Sequence, residues 1–233
     1  MEMQIIEEKD ERIIIRTDVS YSLANVMRRA IAEVPVLAVE EVEIFKNDSA
    51  LYDEMLAHRL GLLVLKTEKS MNSKTKIEFK LSKKGPGTVY AGDLEGPGTV
   101  VHPKTPLTIL NEGYKLEFVA TASLGTGLEH AKYTPGLCYY RNMIEVKSKP
   151  EIDKIIQEAK TIVKPEKKGT KWICDLPDAD VDRIKDIDES AVSDSNELLF
   201  VIESFGQLPA KTILEKSIEA IKGNLAEVEK SIK

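Results

Sequence analysis

The sequence predicts an α+β fold, and three observations lead to that prediction. β-Branched residues form runs at 3–8 and 12–16 around a charged turn, a pattern typical of a β-hairpin. Residues 76–81 alternate apolar and polar side chains, and further short strands are expected between Gly/Pro turns at 88–90, 107–110 and 115–119. Residues 20–34 and 209–232 carry apolar side chains at helical spacing. Helices therefore lie near both ends of the chain, and β structure fills much of its middle.

The first predicted helix carries a feature that its own packing does not require. Its apolar stripe consists of Leu23, Val26, Met27, Ala30, Ile31 and Val34. Ser20 or Ser22 is suited to cap the helix by accepting a hydrogen bond from a free backbone N–H. Pro35 ends it, because the residue before a proline is disfavoured in the helical region. Arg28 and Arg29 are adjacent in its middle, and a stripe that faces the protein's core does not need them.

The middle of the chain predicts a β-rich region with one helix. A strand is expected at 36–46, a helix within 51–63 and a further strand at 139–146. Residues 122–136, between two strands, are rich in glycine and polar side chains. This stretch fits either a plain surface loop or a recognition loop, since exposed loops on rigid sheets commonly carry binding residues. The pattern leaves both interpretations open.

The composition changes in the region 147–196, which is rich in Lys, Glu and Asp and has few large apolar residues. One amphipathic helix is expected at 151–163, and the chain is strongly acidic from 175 to 197. A small appended domain and a poorly ordered insert are both compatible with this composition.

The end of the sequence predicts a strand at 198–205 followed by a long helix that begins at Pro209. Apolar residues in this helix are spaced 4, 3, 4, 3 and 4 residues apart, which is the spacing of a heptad seam. They are Leu214, Ile218, Ile221, Leu225, Val228 and Ile232. The side chains that flank the seam do not alternate in charge as they do in a dedicated coiled coil.

Length and composition exclude several classes of protein. The chain has 233 residues, 42% of them hydrophobic and 31% charged, which is enough for a globular core. Its net charge of −6 argues against binding nucleic-acid phosphates over the whole surface. The longest apolar run, 60–65, is far shorter than a membrane-spanning helix, and the N-terminus has no signal-peptide layout. Two cysteines form no disulfide framework, so a reducing cytoplasm is the expected location.

The candidate metal motifs in the sequence are incomplete. Four acidic residues between 178 and 189 match positions of a calcium loop, but Arg183 stands where that loop needs a glycine. The histidines, which are His58, His102 and His130, show no zinc-ligand spacing among themselves or with the cysteines. We therefore expect no metal site.

A thiol nucleophile is the enzymatic alternative that the residues leave open. Cys138 and His130 are the candidate pair for a small cytoplasmic hydrolase. Cys138 lies between Leu137 and Tyr139 in an apolar run, which favours a buried and unreactive thiol instead.

Four stretches of the sequence together resemble the family of D-type subunits of archaeal DNA-directed RNA polymerase. This family is related to the eukaryotic third-largest polymerase subunit and to the N-terminal domain of bacterial alpha. The stretches are NVMRRAIAEVP at 25–35, YDEMLAHRLGLLVL at 52–65, GLEHAKYTPG at 127–136 and FVIESFGQLPAKTIL at 200–214. They occur in order over most of the chain, and the resemblance is weak only at 147–196.

The resemblance implies a domain organisation. Residues 1–38 and 197–233 would form a discontinuous dimerisation domain, an antiparallel sheet with two helices. Residues 39–146 would form a β-rich insert domain, and 147–196 a small charged third region.

The resemblance also implies a non-catalytic function, an assembly platform within a multisubunit DNA-directed RNA polymerase. Members pair with a smaller L-type subunit, and the pair binds two small zinc-containing subunits and the large catalytic subunits. Little or no direct contact with nucleic acid is implied, and none with a membrane. The implied dimerisation residues are Leu23, Met27, Ile31, Leu214, Ile218, Ile221, Leu225, Val228 and Ile232. The implied residues for docking the large subunits are Arg28, Arg29, Glu129, His130 and Lys132. A homodimer like that of bacterial alpha is the alternative of the same fold.

The sequence departs from the family in one respect. Many archaeal relatives hold an iron–sulfur cluster in the third region through several cysteines. Cys174 is the only cysteine within 147–196, and a cluster needs about four thiolates. We therefore expect no iron–sulfur cluster and no other cofactor.

Overall fold

The predicted strands and helices occur in the predicted order over residues 2–232, which the computed structural model describes, and further short elements that were not predicted lie between 166 and 187. The strands are β1 Met3–Glu8, β2 Arg12–Thr17, β3 Val36–Asn47, β4 Lys76–Lys84, β5 Gly87–Tyr90, β6 Pro106–Leu110, β7 Lys115–Gly125, β8 Gly136–Lys147, β9 Glu166–Lys168, β10 Lys171–Cys174 and β11 Val192–Ser204. The helices are α1 Tyr21–Ala30, α2 Asp53–Gly61, α3 Pro150–Glu158, α4 Asp178–Ile187 and α5 Ala210–Ile232. The α+β prediction is therefore confirmed.

The chain divides into two units, and each is assembled from separate segments. The first unit comprises the residues up to Glu8 together with Ile13–Arg28 and Cys138–Ile202. The second unit comprises Lys9–Arg12, Arg29–Leu137 and the residues from Glu203 onward. The boundaries predicted for three domains stay a prediction.

A six-stranded sheet organises the first unit, with the strand order β1-β2-β11-β8-β10-β9. The predicted hairpin is confirmed, because β1 and β2 pair antiparallel with Ile5 opposite Ile15. β2 lies beside β11, so segments from opposite ends of the sequence share one sheet. Its apolar cluster contains Ile14, Met143, Val163, Ile173, Leu199 and Val201. β11 begins at Val192, six residues before the predicted strand at 198–205, and ends at Ser204.

The charged region 147–196 folds around a second apolar cluster of the first unit. The cluster contains Val146, Ile152, Ile155, Ile156, Cys174, Leu176, Ile184 and Ala191. The predicted helix at 151–163 is too long, since α3 ends at Glu158 and Ala159 is extended. Val163 packs in the other cluster, with Ile14 and Leu199, so the apolar residues at 152–163 do not form one helical face. The acidic stretch that resembles a calcium loop is the helix α4, with Ile184 buried.

A second set of strands organises residues 36–125 of the second unit. β3, β7 and β4 form an antiparallel sheet in that order, and β5 and β6 form a separate two-stranded ribbon. Large side chains from these strands and from α2 fill its core, including Phe79, Phe118, Leu56 and Leu60. The strand and helix predictions for this region are confirmed, with β7 extending to Gly125 beyond the predicted end at 119.

Candidate functional site

The apolar stripe of α1 is divided between buried and exposed positions. The Ser20 hydroxyl accepts a hydrogen bond from the Leu23 N–H at 3.3 Å, so Ser20 is the cap. The helix continues as a 3-10 turn at Ile31–Glu33 and then becomes extended at Val34. Met27 and Ile31 are each 6% exposed, whereas Leu23 is 38% exposed. Of the predicted interface residues on α1, Leu23 is therefore the one available at the surface.

The helix α5 packs against its own unit through a face that differs from the predicted seam. Its buried residues are Ala210, Ile213 and Ser217, and α5 contacts the 3-10 turn at 31–33. The Ser217 hydroxyl donates to the Leu214 carbonyl at 2.7 Å. Further along, the Asn224 side-chain amide donates to the Glu33 carboxylate at 2.8 Å. Sequence reasoning missed this face because only two of its residues, Ala210 and Ile213, are apolar. The third, Ser217, is polar and does not continue an apolar stripe.

The predicted seam of α5 lies beside that buried face and becomes more exposed toward the C-terminus. Leu214, Ile218 and Ile221 are half-buried. Leu225, Val228 and Ile232 are 64%, 56% and 80% exposed. A row of exposed large apolar side chains on one helix face is typical of a surface that binds another protein.

The loop between β11 and α5 holds the start of α5 in place. The Gln207 carbonyl accepts a hydrogen bond from the Thr67 N–H at 3.0 Å, and the Phe205 N–H donates to the Pro135 carbonyl at 3.0 Å. The first residue of the helix, Ala210, donates its N–H to the Asp10 carbonyl at 2.8 Å. Phe205, Gln207 and Ala210 belong to the stretch FGQLPA, which is part of the family motif at 200–214. That motif is the sequence signal for these contacts.

The two adjacent arginines of α1 differ in their surroundings. The Arg28 guanidinium donates from Nε and Nη2 to the Asn25 side-chain oxygen, at 3.2 and 3.0 Å, and is half-buried. Arg29 is exposed. Among the described residues neither guanidinium forms an ion pair, so both keep N–H donors that can bind carboxylates or carbonyls.

The predicted docking residues at 129–132 brace the loop on which they lie. The Glu129 carboxylate accepts a hydrogen bond from the Thr126 N–H at 2.7 Å. His130 Nδ1 accepts one from the Lys132 N–H at 3.1 Å. Lys132 Nζ donates to the Val39 carbonyl at 2.9 Å, on the neighbouring strand β3. These three hydrogen bonds hold the loop in its conformation. Leu128, next to Glu129, is 73% exposed, so the tip of the loop is open to solvent.

The thiol chemistry that the sequence left open is opposed by burial. Burial raises the pKa of the Cys138 thiol to about 12, and the nearby Arg28 charge lowers it only in part. Burial, and next the Asp175 carboxylate, raise the pKa of the Cys174 thiol to about 12. A thiol nucleophile or an iron ligand needs a lowered pKa instead, because the thiolate is the reactive form.

The described residues contain no group of three or more His, Cys, Asp or Glu side chains arranged to hold a metal ion. None of the described helices is long and apolar enough to cross a membrane.

Comparisons with known proteins identify the family. The family model for the RNA polymerase Rpb3/RpoA insert domain matches residues 41–149. The chain is 34% identical to DNA-directed RNA polymerase subunit Rpo3 of Pyrococcus furiosus, an alignment covering 95% of this chain and 93% of the relative. It is 34% identical to the subunit Rpo3 of Archaeoglobus fulgidus, over 99% of this chain and 97% of the relative. The same subunit of Methanothermobacter thermautotrophicus is 30% identical, over 98% of this chain and 97% of the relative. The chain therefore belongs to the family of archaeal RNA polymerase subunit Rpo3, the D-type subunit, and is a non-catalytic subunit of a DNA-directed RNA polymerase.

Proposed function

We propose that this subunit is the platform on which the polymerase assembles, and that it pairs with an L-type small subunit through the seam of α5. The observation that carries the proposal is the apolar stripe of Leu225, Val228 and Ile232, which remains exposed while another face of the same helix is packed. Each of these side chains contributes roughly 1.5–3 kcal/mol when a partner covers it. That gain has to exceed the entropy lost on association, so the half-buried Leu214, Ile218 and Ile221 also belong to the interface. The proposed dimerisation set also includes Leu23, which is 38% exposed, with Met27 and Ile31 supporting it from below, since each of these is only 6% exposed.

We further propose that the resulting pair docks the large catalytic subunits through two other surfaces. The first is the Arg28–Arg29 pair, whose planar guanidinium groups suit bidentate contacts with carboxylates. The second is the loop of Glu129, His130 and Lys132. There Glu129 and Lys132 hold the loop in shape, and His130 with its exposed neighbour Leu128 forms the contact. The two small zinc-containing subunits bind the same platform.

The subunit needs no cofactor of its own for this function. In the third region Cys174 is fully buried within the apolar cluster, among isoleucine and leucine side chains. A single thiol with a raised pKa is a poor ligand.

The pairing surface is tested with a charge placed in the exposed part of the seam. Leu225→Asp is the informative variant, because Leu225 is 64% exposed and its replacement leaves the subunit's own core intact. Burying the unpaired carboxylate in the interface costs about 3 kcal/mol, or about 100-fold in Kd. Ile221→Asp should abolish pairing as well. Ala226→Asp, on the exposed far side of the same turn, is the matched control.

The measurement is light scattering during size-exclusion chromatography of each variant mixed with the purified L-type subunit. Circular dichroism of each variant alone checks that α5 is retained. A heterodimer that forms equally well with Leu225→Asp and with Ala226→Asp refutes the proposed interface.

A further inference from the structure

A small cavity opens in the second unit beside the predicted docking loop. It lies between α2, the strand β3 and the loop that carries His130 and Lys132, and its volume is about 160 Å³. Its apolar lining consists of Val39, Val42, Ala57, Gly61 and Leu62. A cavity of about 150 Å³ with apolar walls binds benzene, so this one has room for a single leucine-sized or aromatic side chain.

The subunit leaves the cavity open because α2 packs into its own core through other residues. Leu56 and Leu60 are fully buried in that core, whereas the cavity side of the helix carries the small residues Ala57 and Gly61. Among the described residues, a Cβ added at Gly61 would approach only the Val39 carbonyl oxygen, at 3.9 Å, which is ordinary van der Waals contact. Crowding therefore does not require a glycine here, and the space is available to a side chain from another molecule.

The rim of the cavity carries a hydrogen-bond donor that the loop holds in place. His130 Nδ1 accepts a hydrogen bond from the Lys132 N–H at 3.1 Å. A neutral imidazole that accepts at Nδ1 carries its proton at Nε2. That N–H has no acceptor among the described residues. A segment bound at the cavity supplies one through a carbonyl oxygen of its backbone.

The elements that border the cavity also carry exposed apolar side chains. Tyr52, Met55 and Leu62, at the spacing of one helical face, are 80%, 53% and 54% exposed. Leu128, on the loop, is 73% exposed. A free small molecule would leave these side chains uncovered, whereas a protein segment covers them together with the cavity.

We propose that the cavity receives one apolar side chain, of leucine or phenylalanine size, from a large catalytic subunit, and that the His130 Nε2–H donates to a backbone carbonyl of the same segment. A large subunit is the occupant because His130 belongs both to the cavity and to the loop proposed to meet that subunit. This inference rests on the proposed docking through that loop. The inserted side chain is uncharged, because a charge among apolar walls is costly.

The first test fills the cavity from inside. Ala57→Leu places a branched apolar side chain into the space, and Ala50→Leu makes the same change at an exposed residue outside the lining. Each variant is paired with the L-type subunit, and the Kd of the pair for the reconstituted large subunits is measured by biolayer interferometry. Ala57→Leu should raise this Kd at least about tenfold, because the partner's side chain no longer enters, and Ala50→Leu should leave it unchanged. Equal Kd values for the two variants overturn the inference.

Circular dichroism during thermal unfolding of each variant alone checks that the core is retained. If Ala57→Leu does not fold, Gly61→Leu takes its place with the same expected result, because the space around Gly61 accepts a side chain.

The second test separates the Nε2 donor from the bracing of the loop. His130→Phe removes both ring nitrogens. His130→Asn keeps an oxygen that accepts the Lys132 N–H, as asparagine does in turns, but it does not reach the position of Nε2. Both variants should raise the Kd about three- to tenfold. Normal capture by His130→Asn would mean that His130 only braces the loop, and the proposed contact would be wrong.

The double variant Arg28→Ala/Arg29→Ala keeps the cavity and the docking function apart. If the cavity variants capture the large subunits normally and the arginine variant does not, the docking function stands and the inference about the cavity is wrong. If the unmodified pair does not bind the large subunits at all, the proposed function itself is wrong.

Discussion

The apolar cluster of the third region makes a prediction that a single substitution tests. Ile184 is fully buried at the centre of the short helix α4, in the same cluster as the fully buried Cys174. Ile184→Ala removes apolar atoms and leaves a cavity, which costs about 2–5 kcal/mol at a buried site. If the third region opens on its own, this free energy appears as a larger population of molecules in which Cys174 is exposed.

Alkylation of Cys174 measures that population. The thiol does not react in the closed state, because it is buried and its pKa is raised to about 12. When the region recloses faster than it is alkylated, the rate follows the equilibrium for opening. Each 1.4 kcal/mol is a factor of ten, so Ile184→Ala should accelerate modification of Cys174 by about 30-fold to several thousandfold. Iodoacetamide labelling at about pH 8, followed by mass spectrometry of the cysteine peptides, gives the rate for each thiol separately.

Two controls are contained in the chain. Cys138 is buried outside this cluster, so its rate should change little in the same protein. Ile187→Ala alters an isoleucine that is 41% exposed at the end of the same helix, and it should accelerate Cys174 far less. Equal acceleration of both thiols would show that the third region does not open independently. No acceleration by Ile184→Ala would show that the cluster does not hold the region closed.

Two further predictions concern assembly and metals. Arg28→Ala combined with Arg29→Ala should leave pairing with the L-type subunit intact and weaken capture of the large subunits, measured by pull-down of the reconstituted complex; loss of the pair itself would assign the arginines to the fold. Anaerobically purified protein should be colourless, without iron or acid-labile sulfide, and calorimetric titration with calcium should give no saturable heat; stoichiometric iron would mean that the third region holds a cluster through ligands other than cysteines of its own.

Local sequence patterns predicted most strands and helices of this fold, because the conformation of each depends mainly on residues close to it in the sequence. The hairpin β1–β2 follows from two β-branched runs around a charged turn, and both strands were found where the runs lie. The strand β4 follows from alternating apolar and polar residues, and β5 to β7 follow from short stretches between Gly/Pro turns. The pairing of the strands is not determined locally. β2 pairs with β11, and more than half of the sequence separates the two strands. Only the family resemblance indicated that the two ends of the chain belong together.

The third region shows why its organisation was not predictable from residue spacing. Ile152, Ile155 and Ile156 share a helical face and pack in one cluster. Val163 continues the same spacing in the sequence, yet it packs in the other cluster, because the helix ends and the backbone becomes extended at Ala159. Apolar spacing indicates which residues are buried. It does not indicate whether they are buried in one cluster or in two.

For α5, which belongs to the candidate site, residue spacing likewise does not show what the apolar side chains pack against. A stripe at heptad spacing looks the same whether it faces the protein's core or another molecule. The sequence shows the seam at 214–232, whereas the face that packs inward, with Ala210, Ile213 and Ser217, is evident only from the structure. The loop before α5 decides between them. Gly206 adopts a φ of +114°, and a Cβ there would lie 2.6 Å from Val101 Cγ1, so only glycine fits. That loop and the Ala210–Asp10 hydrogen bond set the rotation of α5, and this rotation turns Ile213 and Ser217 inward. The surface proposed for pairing is therefore defined by contacts at the start of the helix, several turns away from the residues that would meet the partner.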